Sequence, residues 1–268
     1  SLQSGVVLPE KALKMAVSPN TVYAGPYFNS GGSHLNTTLS KPEAVYDSHV
    51  KGQLHKYTEA NSPGNVVLWG YKNQYPVAKV SNANNLSSYS GYYTSADVAY
   101  SSFEHSDNNN WTYAGAPVAD ASSPSGKLVY SLGTGAITKS NSTVSTQKYI
   151  ISYWYKSGAS VSVTGGTVGA AVIRKTFGSW TLAEREITSV SGTITVSGSG
   201  FIDELRFHPA DSQMTTYVYD PLVGITCVID AKGSAQYYEY DESQRLKNVK
   251  DQQGNIVKSH QYIMGLSN

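Results

Sequence analysis

A single cysteine, Cys227, is all the thiol chemistry the chain carries in 268 residues. An intramolecular disulfide needs two, so no cross-link is possible within the chain, and zinc or iron–sulfur centres built on several thiolates are excluded with it. Charge is scarce too. Asp, Glu, Lys and Arg make up 15% of the residues, and 20 basic against 19 acidic side chains leave a net charge of +1. A protein that neutralises phosphates needs a basic surplus, so nucleic acid is not an expected partner. No apolar run approaches the roughly 18–20 residues of a membrane helix, and no membrane span is expected. The opening Ser1-Leu2-Gln3-Ser4 has neither an initiator Met nor a charged-then-apolar leader, so the chain reads as a piece of a longer polypeptide.

Helix formers are also in short supply, with Leu, Glu and Lys outnumbered by Ser, Thr and Asn. What the chain has instead is 21 Tyr and 24 Gly, with 40% hydrophobic residues that can fill a sizeable core. That composition points to β-structure. Four Asn-x-Ser/Thr sequons, at Asn36, Asn85, Asn110 and Asn141, arise easily by chance among so many Asn, Ser and Thr.

The sharpest signal is a period. Tyr217, Tyr219, Asp220, Val228, Asp230 and Gly233 recur 21 residues later as Tyr238, Tyr240, Asp241, Val249, Asp251 and Gly254, and a third copy begins at His260-Gln261-Tyr262, one residue out of register. Within a copy, Tyr237–Tyr240 alternates as a strand does, Asp241 opens a turn, Arg245–Val249 is a second strand, and Asp251–Asn255 is the next turn. One copy is therefore a β-hairpin. Val45-Tyr46-Asp47, Gly52–Tyr57 and Val66–Tyr71 follow the same logic as divergent hairpins.

These residues resemble the Tyr-Asp (YD) repeats of Rhs-type proteins. The phrases Leu68-Trp69-Gly70-Tyr71-Lys72-Asn73-Gln74-Tyr75-Pro76-Val77-Ala78-Lys79 and Tyr219-Asp220-Pro221-Leu222-Val223-Gly224 look like large surface proteins of the Bacteroidota. The resemblance covers residues 41–79 and 214–264. It implies a hairpin strip from the wall of a shell, in a large secreted or cell-surface protein of a Gram-negative bacterium. It also implies export by the type IX secretion route and, in some members, enclosure of a toxin; no toxin sequence is present in these residues. The partners it implies are the rest of a longer polypeptide or other shell chains, and secretion machinery.

Residues from about 96 to 213 lack the period and read as short strands separated by Gly, Ser and Asn turns, among them Lys127–Leu132, Tyr149–Tyr155, Val161–Val163, Thr193–Val196 and Phe201–Phe207. Close-spaced short strands favour a β-sandwich. Ser102-Phe103-Glu104 with Trp111, Tyr149–Trp154 and Gly200–Leu205 resemble a jelly-roll carbohydrate-binding module. The expected fold is thus all-β: an N-terminal YD-type hairpin strip at 1–95, an inserted β-sandwich jelly roll at 96–213, and YD repeats at 214–268. By the strand period of two, Phe201, Asp203, Leu205 and Phe207 share a face, and a carboxylate among apolar neighbours needs a cation or donors. In the modules this stretch resembles, the positions of Glu104 and Asp203 help hold a structural Ca²⁺, a cation suited to such oxygen ligands. The alternative is that Asp203 ends the strand in water or accepts from backbone amides.

No catalytic constellation stands out, and the chain is expected not to be an enzyme. The Gly-x-Ser-x-Gly elbow is absent. Cys227 lies in the apolar run Gly224–Ile229 and reads as a buried structural thiol. His34, His49, His55, His105, His208 and His260 are scattered and read mostly as surface or turn residues. Glu184, Glu186, Asp203 and Glu204 could supply the paired carboxyls of glycoside hydrolysis, but Glu184 and Glu186 flank Arg185 in a strand that reads as solvated. Gly133-Thr134-Gly135 and Gly165-Gly166 lack the following Lys-Ser/Thr of a phosphate loop and read as turns. Aromatic platforms for sugars suit the composition better, because Tyr and Trp join an apolar face to a polar edge. Tyr155 and Trp180 are the expected ligand-binding residues for a glycan, ahead of Tyr113, while Trp111 and Trp154 fall at core positions.

Overall fold

The computed structural model describes residues 11–15, 40–50, 52–60, 62–83, 97–145 and 147–262. Five strands come first: β1 (Lys11–Met15), β2 (Ser40–Val50), β3 (Gln53–Glu59), β4 (Gly64–Gly70) and β5 (Tyr75–Ser81). Next come β6 (Ala99–Ser101), β7 (Val118–Ala119), β8 (Leu128–Ser131), β9 (Ile137–Ser145), β10 (Tyr149–Lys156) and β11 (Ser160–Thr164). They are followed by β12 (Thr167–Val168), β13 (Val172–Phe177), β14 (Trp180–Thr188), β15 (Val190–Ser199) and β16 (Phe201–Pro209). The last five are β17 (Gln213–Asp220), β18 (Gly224–Ile229), β19 (Ala235–Tyr240), β20 (Leu246–Lys250) and β21 (Ile256–Ser259). No α-helix occurs among the described residues.

Ten strands form one antiparallel sheet in the order β1-β2-β3-β4-β5-β17-β18-β19-β20-β21. All neighbours but one are consecutive in the chain. The exception is β5 with β17, where Gln213–Thr216 pair with Ser81–Ala78 as though the two strands were a hairpin with a very long loop. Val66 and Leu68 of β4 alternate inward with Val77, Ala78 and Val80 of β5, and they bury together with Met214 from the far side of that loop.

The intervening strands make two further sheets, β12-β14-β10-β16-β8-β7 with β13 on β14 and β6 on β16, and the smaller β11-β15-β9. Tyr149, Ile151, Tyr153 and Phe207 from the first bury against Ile137, Val163, Ile194 and Val196 from the second. The all-β class and the sandwich-like pairing of sheets read from the sequence are both present. The opposite face of the larger sheet is apolar as well, with Val129, Trp154, Trp180 and Leu182 buried there. The ten-stranded sheet meets this face: Lys175 Nζ donates to Ser234 Oγ at 2.8 Å, the Tyr237 hydroxyl donates to the Pro124 carbonyl at 2.8 Å, and Leu182 abuts Gly233.

The recurring aspartates have a local task. In successive turns, Asp230 Oδ1 accepts from the amides of Lys232 and Ser234, Asp241 Oδ1 from Ser243 and Arg245, and Asp251 Oδ1 from Gln253 and Asn255, all at 2.8–3.0 Å. Such carboxylate-to-backbone bonds satisfy turn amides that the ladder cannot reach. The fourth residue of each turn is left-handed: Gly233 at φ 74°, Gln244 at 60° and Gly254 at 87°. Two copies use glycine and one does not. A side chain costs about 1–2 kcal/mol in that region, so Gln244→Gly is expected to raise stability by up to about 1 kcal/mol after glycine's extra unfolded-state entropy. The midpoint of urea unfolding would show it, and a lowered midpoint would mean that Gln244 makes a compensating contact.

The tyrosines repeat a contact too. The Tyr219 hydroxyl donates to the carbonyl of Pro76 at 2.8 Å, Tyr240 to Ile225 at 2.8 Å and Tyr262 to Leu246 at 2.9 Å, each reaching the adjacent strand. Tyr262, one residue beyond the strict period, makes the bond of its counterparts.

Candidate functional site

The junction between the sandwich and the ten-stranded sheet is organised by an irregularity in β16. Ser152 pairs with Arg206 but Trp154 pairs with Asp203, so two steps on β10 match three on β16. The extra residue is a β-bulge, with Glu204 at φ 51°. It inverts the alternation: Ile202, Leu205 and Phe207 enter the sandwich core, while Asp203 turns with Trp154 toward the junction. The expectation that Asp203 shares a face with Leu205 and Phe207 is thereby corrected, because strict period two does not survive an inserted residue.

Asp203, Glu204 and Arg206 are all buried there. Glu204 Oε2 receives Arg206 Nη2 at 3.0 Å and the Thr216 hydroxyl at 2.8 Å, and Oε1 receives the Tyr100 hydroxyl at 2.6 Å. Arg206 also donates to the carbonyls of Met214 and Asp230, at 3.3 and 3.0 Å. One guanidinium therefore ties the sandwich to two strands' worth of the neighbouring sheet. Asp203 Oδ2 accepts from the Ser123 and Ser125 hydroxyls at 2.7 and 2.8 Å, and Oδ1 from the Glu204 amide at 2.7 Å. Burial, then the adjacent Glu204 charge, pushes the Asp203 carboxyl well above its ordinary value, against the pull of those three donors.

Glu104 approaches from the other side. Its Oε1 accepts from the amides of Lys127 and Leu128, each at 2.6 Å, and burial raises its pKa while those amides lower it. Gly126 is required by this approach, because a Cβ there would fall on the Glu104 carboxylate. Donors stand on both Asp203 oxygens and on Glu104 Oε1, so a cation shared by these two carboxylates would have to displace them. Among the described residues, no three His, Cys, Asp or Glu side chains gather as a cation site.

Two hollows open along the junction. The first, about 690 Å³, is lined by Tyr71, Glu104, His105, Lys127 and Tyr219; the second, about 500 Å³, by Phe177, Trp180 and Gln252. Gly126 and Tyr237 belong to both. At the rim of the first, Tyr71, Lys72 and Asn73 are three consecutive left-handed residues, at φ 53°, 62° and 60°. Contacts from elsewhere hold this turn: the Tyr71 hydroxyl donates to the Tyr219 carbonyl and accepts its amide, Lys72 N donates to Asp107 Oδ2, and Gln53 donates to the Asn73 carbonyl. Burial pushes the Tyr71 phenol up to about 12. Strain of this kind collects where structure is kept for a purpose other than stability.

The expected sugar platforms fall on opposite faces of the larger sheet of the sandwich. Trp180 is 1% exposed, with its indole N–H given to Ser122 Oγ, and so offers no open ring face. It is covered because the ten-stranded sheet lies over a surface that, in an isolated sandwich, would meet water. Tyr155 is half-buried beside Tyr153 and Arg185, in a shallow hollow of about 190 Å³. Trp111 and Trp154 are core residues. Glu184 and Glu186 of β14 pair with Arg174 and Lys148 near solvent and do not face one another across a cleft. Cys227 is buried, and burial pushes its thiol up.

Two histidines depart from the surface expectation. His208 is enclosed, its pKa lowered to about 4 by burial, and the His105 side chain is 4% exposed at the first hollow. The bulge, Arg206 and Gln252 escaped sequence reasoning, which weighed Glu204 only as one of a carboxyl pair and His105 only as a surface or turn residue. The available signal was the adjacent pair of carboxylates Asp203-Glu204 with Arg206 two residues on, three charged residues in a strand whose other members are largely apolar.

The residues at this junction define an all-β protein with a polar, aromatic-lined seam between two sheets. No protein-family model matches the chain, and neither does any curated protein.

Proposed function

We propose that the chain is a non-enzymatic structural segment of a large secreted or cell-surface protein of the Rhs/YD-repeat kind, exported by the type IX route. Its hairpins contribute to a wall, shell or scaffold, and a toxin enclosed by such a shell would be encoded outside these residues. The observation that carries this is the continuous ten-stranded antiparallel sheet, whose C-terminal hairpins repeat an Asp-anchored turn at Asp230, Asp241 and Asp251 and a Tyr-to-carbonyl bond at Tyr219, Tyr240 and Tyr262. Among the described residues the sheet ends at β21, whose Ile256 and Val257 are each 56% exposed. An open apolar edge of this sort favours pairing with another strand.

Sedimentation velocity tests it. The chain is expected to associate as its concentration rises into the micromolar range, and Ile256→Lys with Val257→Lys is expected to return it to monomer. A wild-type chain that stays monomeric at every concentration would overturn the role of this edge in a continuing wall. A second reading is favoured by the hollows at the junction: a glycan-binding module carried on the scaffold, with saccharides as partners.

A further inference from the structure

The two hollows meet at Tyr237, and their chemistry is of one kind. Aromatic surface from Tyr71, Tyr219, Tyr237 and Phe177 alternates with two carboxylates, Glu104 and Asp220, and two exposed ammonium groups, Lys72 and Lys127. A polyanion would require a surplus of cations, and a lipid tail would avoid the carboxylates. A saccharide presents C–H faces to aromatic rings and hydroxyls to both donors and acceptors, and each hollow lies within the roughly 300–1,000 Å³ typical of small-molecule pockets.

A second observation is independent of the lining. Gln252, in the turn after β20, is 7% exposed, lines the second hollow, and has a buried Nε2 with no hydrogen-bond partner. A buried amide donor without an acceptor is disfavoured in the free protein, and its presence calls for an explanation. The nitrogen is itself enclosed in the free protein, and a half-turn of the carboxamide would bring it to the hollow, where a ligand hydroxyl is an acceptor of the right kind. The apolar seam around it, with Trp180 and Phe177 alongside, supplies the dry surroundings in which such a bond discriminates strongly.

We infer that the junction between the two sheets binds an extended saccharide that crosses Tyr237 and places sugar units in both hollows. This rests on the glycan-binding reading and gives it a site distinct from Tyr155. Because the hollows adjoin, affinity depends on ligand length: a disaccharide fills one and a longer chain fills both.

The test is calorimetric titration of the full chain with di-, tetra- and hexasaccharides of the cello-, xylo-, manno- and laminari- series. At least one series is expected to bind, with the hexasaccharide about tenfold or more tighter than the disaccharide. Gln252→Met keeps the side chain's volume and removes the unpartnered donor. It is expected to weaken binding about tenfold while leaving the melting temperature unchanged or raised, an outcome that a merely structural glutamine would not give. Lys127→Ala, at an exposed position of the other hollow, is expected to weaken binding about threefold or more without affecting folding, and it decides the matter if Gln252→Met lowers the melting temperature. Binding that is indifferent to length, or that survives both substitutions but is lost in Tyr155→Ala, would overturn the junction site and leave the glycan reading intact. No binding of any series at millimolar concentration would overturn both.

Discussion

Arg206→Met is expected to destabilise the protein by about 3–5 kcal/mol, the cost of leaving a buried charge without its partner. Glu204 is 1% exposed and would keep only the Tyr100 and Thr216 hydroxyls. The carbonyls of Met214 and Asp230 would lose a donor at the same time. Because these belong to the ten-stranded sheet, the loss is expected at the joint more than within either unit. Urea unfolding followed by far-ultraviolet dichroism and by tryptophan fluorescence should coincide in the wild type and separate in the variant, since all four tryptophans but Trp69 lie in the sandwich. Adding Glu204→Gln removes the orphaned charge and should recover a large part of the stability. Strictly additive losses in the double-mutant cycle would show that the two side chains are not coupled.

Asp203→Ala is the second large effect, expected at about 3 kcal/mol, because the Ser123 and Ser125 hydroxyls and the Glu204 amide would lose their acceptor at about 1–3 kcal/mol for each group left unsatisfied. Asp203→Asn should cost far less, since its amide can serve the same hydroxyls once they rotate. Comparing wild type with Asp203→Asn isolates the titration. The folded-state pKa of Asp203 is raised above the unfolded value, so the proton is held more tightly in the folded protein. Its contribution to stability is then fully present below the unfolded pKa, about 3.9, and is lost as pH rises through the raised folded value. Wild type should therefore gain stability relative to Asp203→Asn when the pH is lowered from 7 toward 4, as read from paired urea titrations. A relative loss on acidification would mean that the three donors hold Asp203 ionised and outweigh burial.

The regular part of this architecture was legible in the sequence because period and turn chemistry are local. The 21-residue recurrence placed Asp230, Asp241 and Asp251 at turns, and the carboxylates are found on turn amides. The slipped register of Tyr262 was visible as well, and its hydroxyl still reaches Leu246. Trp111 and Trp154, read at core positions, are both buried. The junction was less legible for two reasons. A bulge carries no mark in the residue pattern, so Asp203 was assigned to the wrong face. And the burial of Trp180 depends on a second sheet whose approach is a tertiary fact, so a residue that looked like a platform became part of a seam. Gln252 was invisible for the same reason: its turn is local, but the hollow it lines is not.

The return of the chain to β17 beside β5 has a bearing on the order in which the molecule forms. Pairing Ser81 with Gln213 directly would close a loop of about 130 residues, whereas β6 pairs with β16 at Ala99 and Phe207, so a completed sandwich brings the two ends together and leaves about 20 residues outside it. By the logarithmic dependence of closure entropy on loop length, that difference lowers the barrier to joining the two halves of the sheet by roughly 1.5–2 kcal/mol. A sandwich that assembles first would thus act as an internal splint for the ten-stranded sheet, and in refolding the Trp111 and Trp154 signals are then expected to settle before that of Trp69.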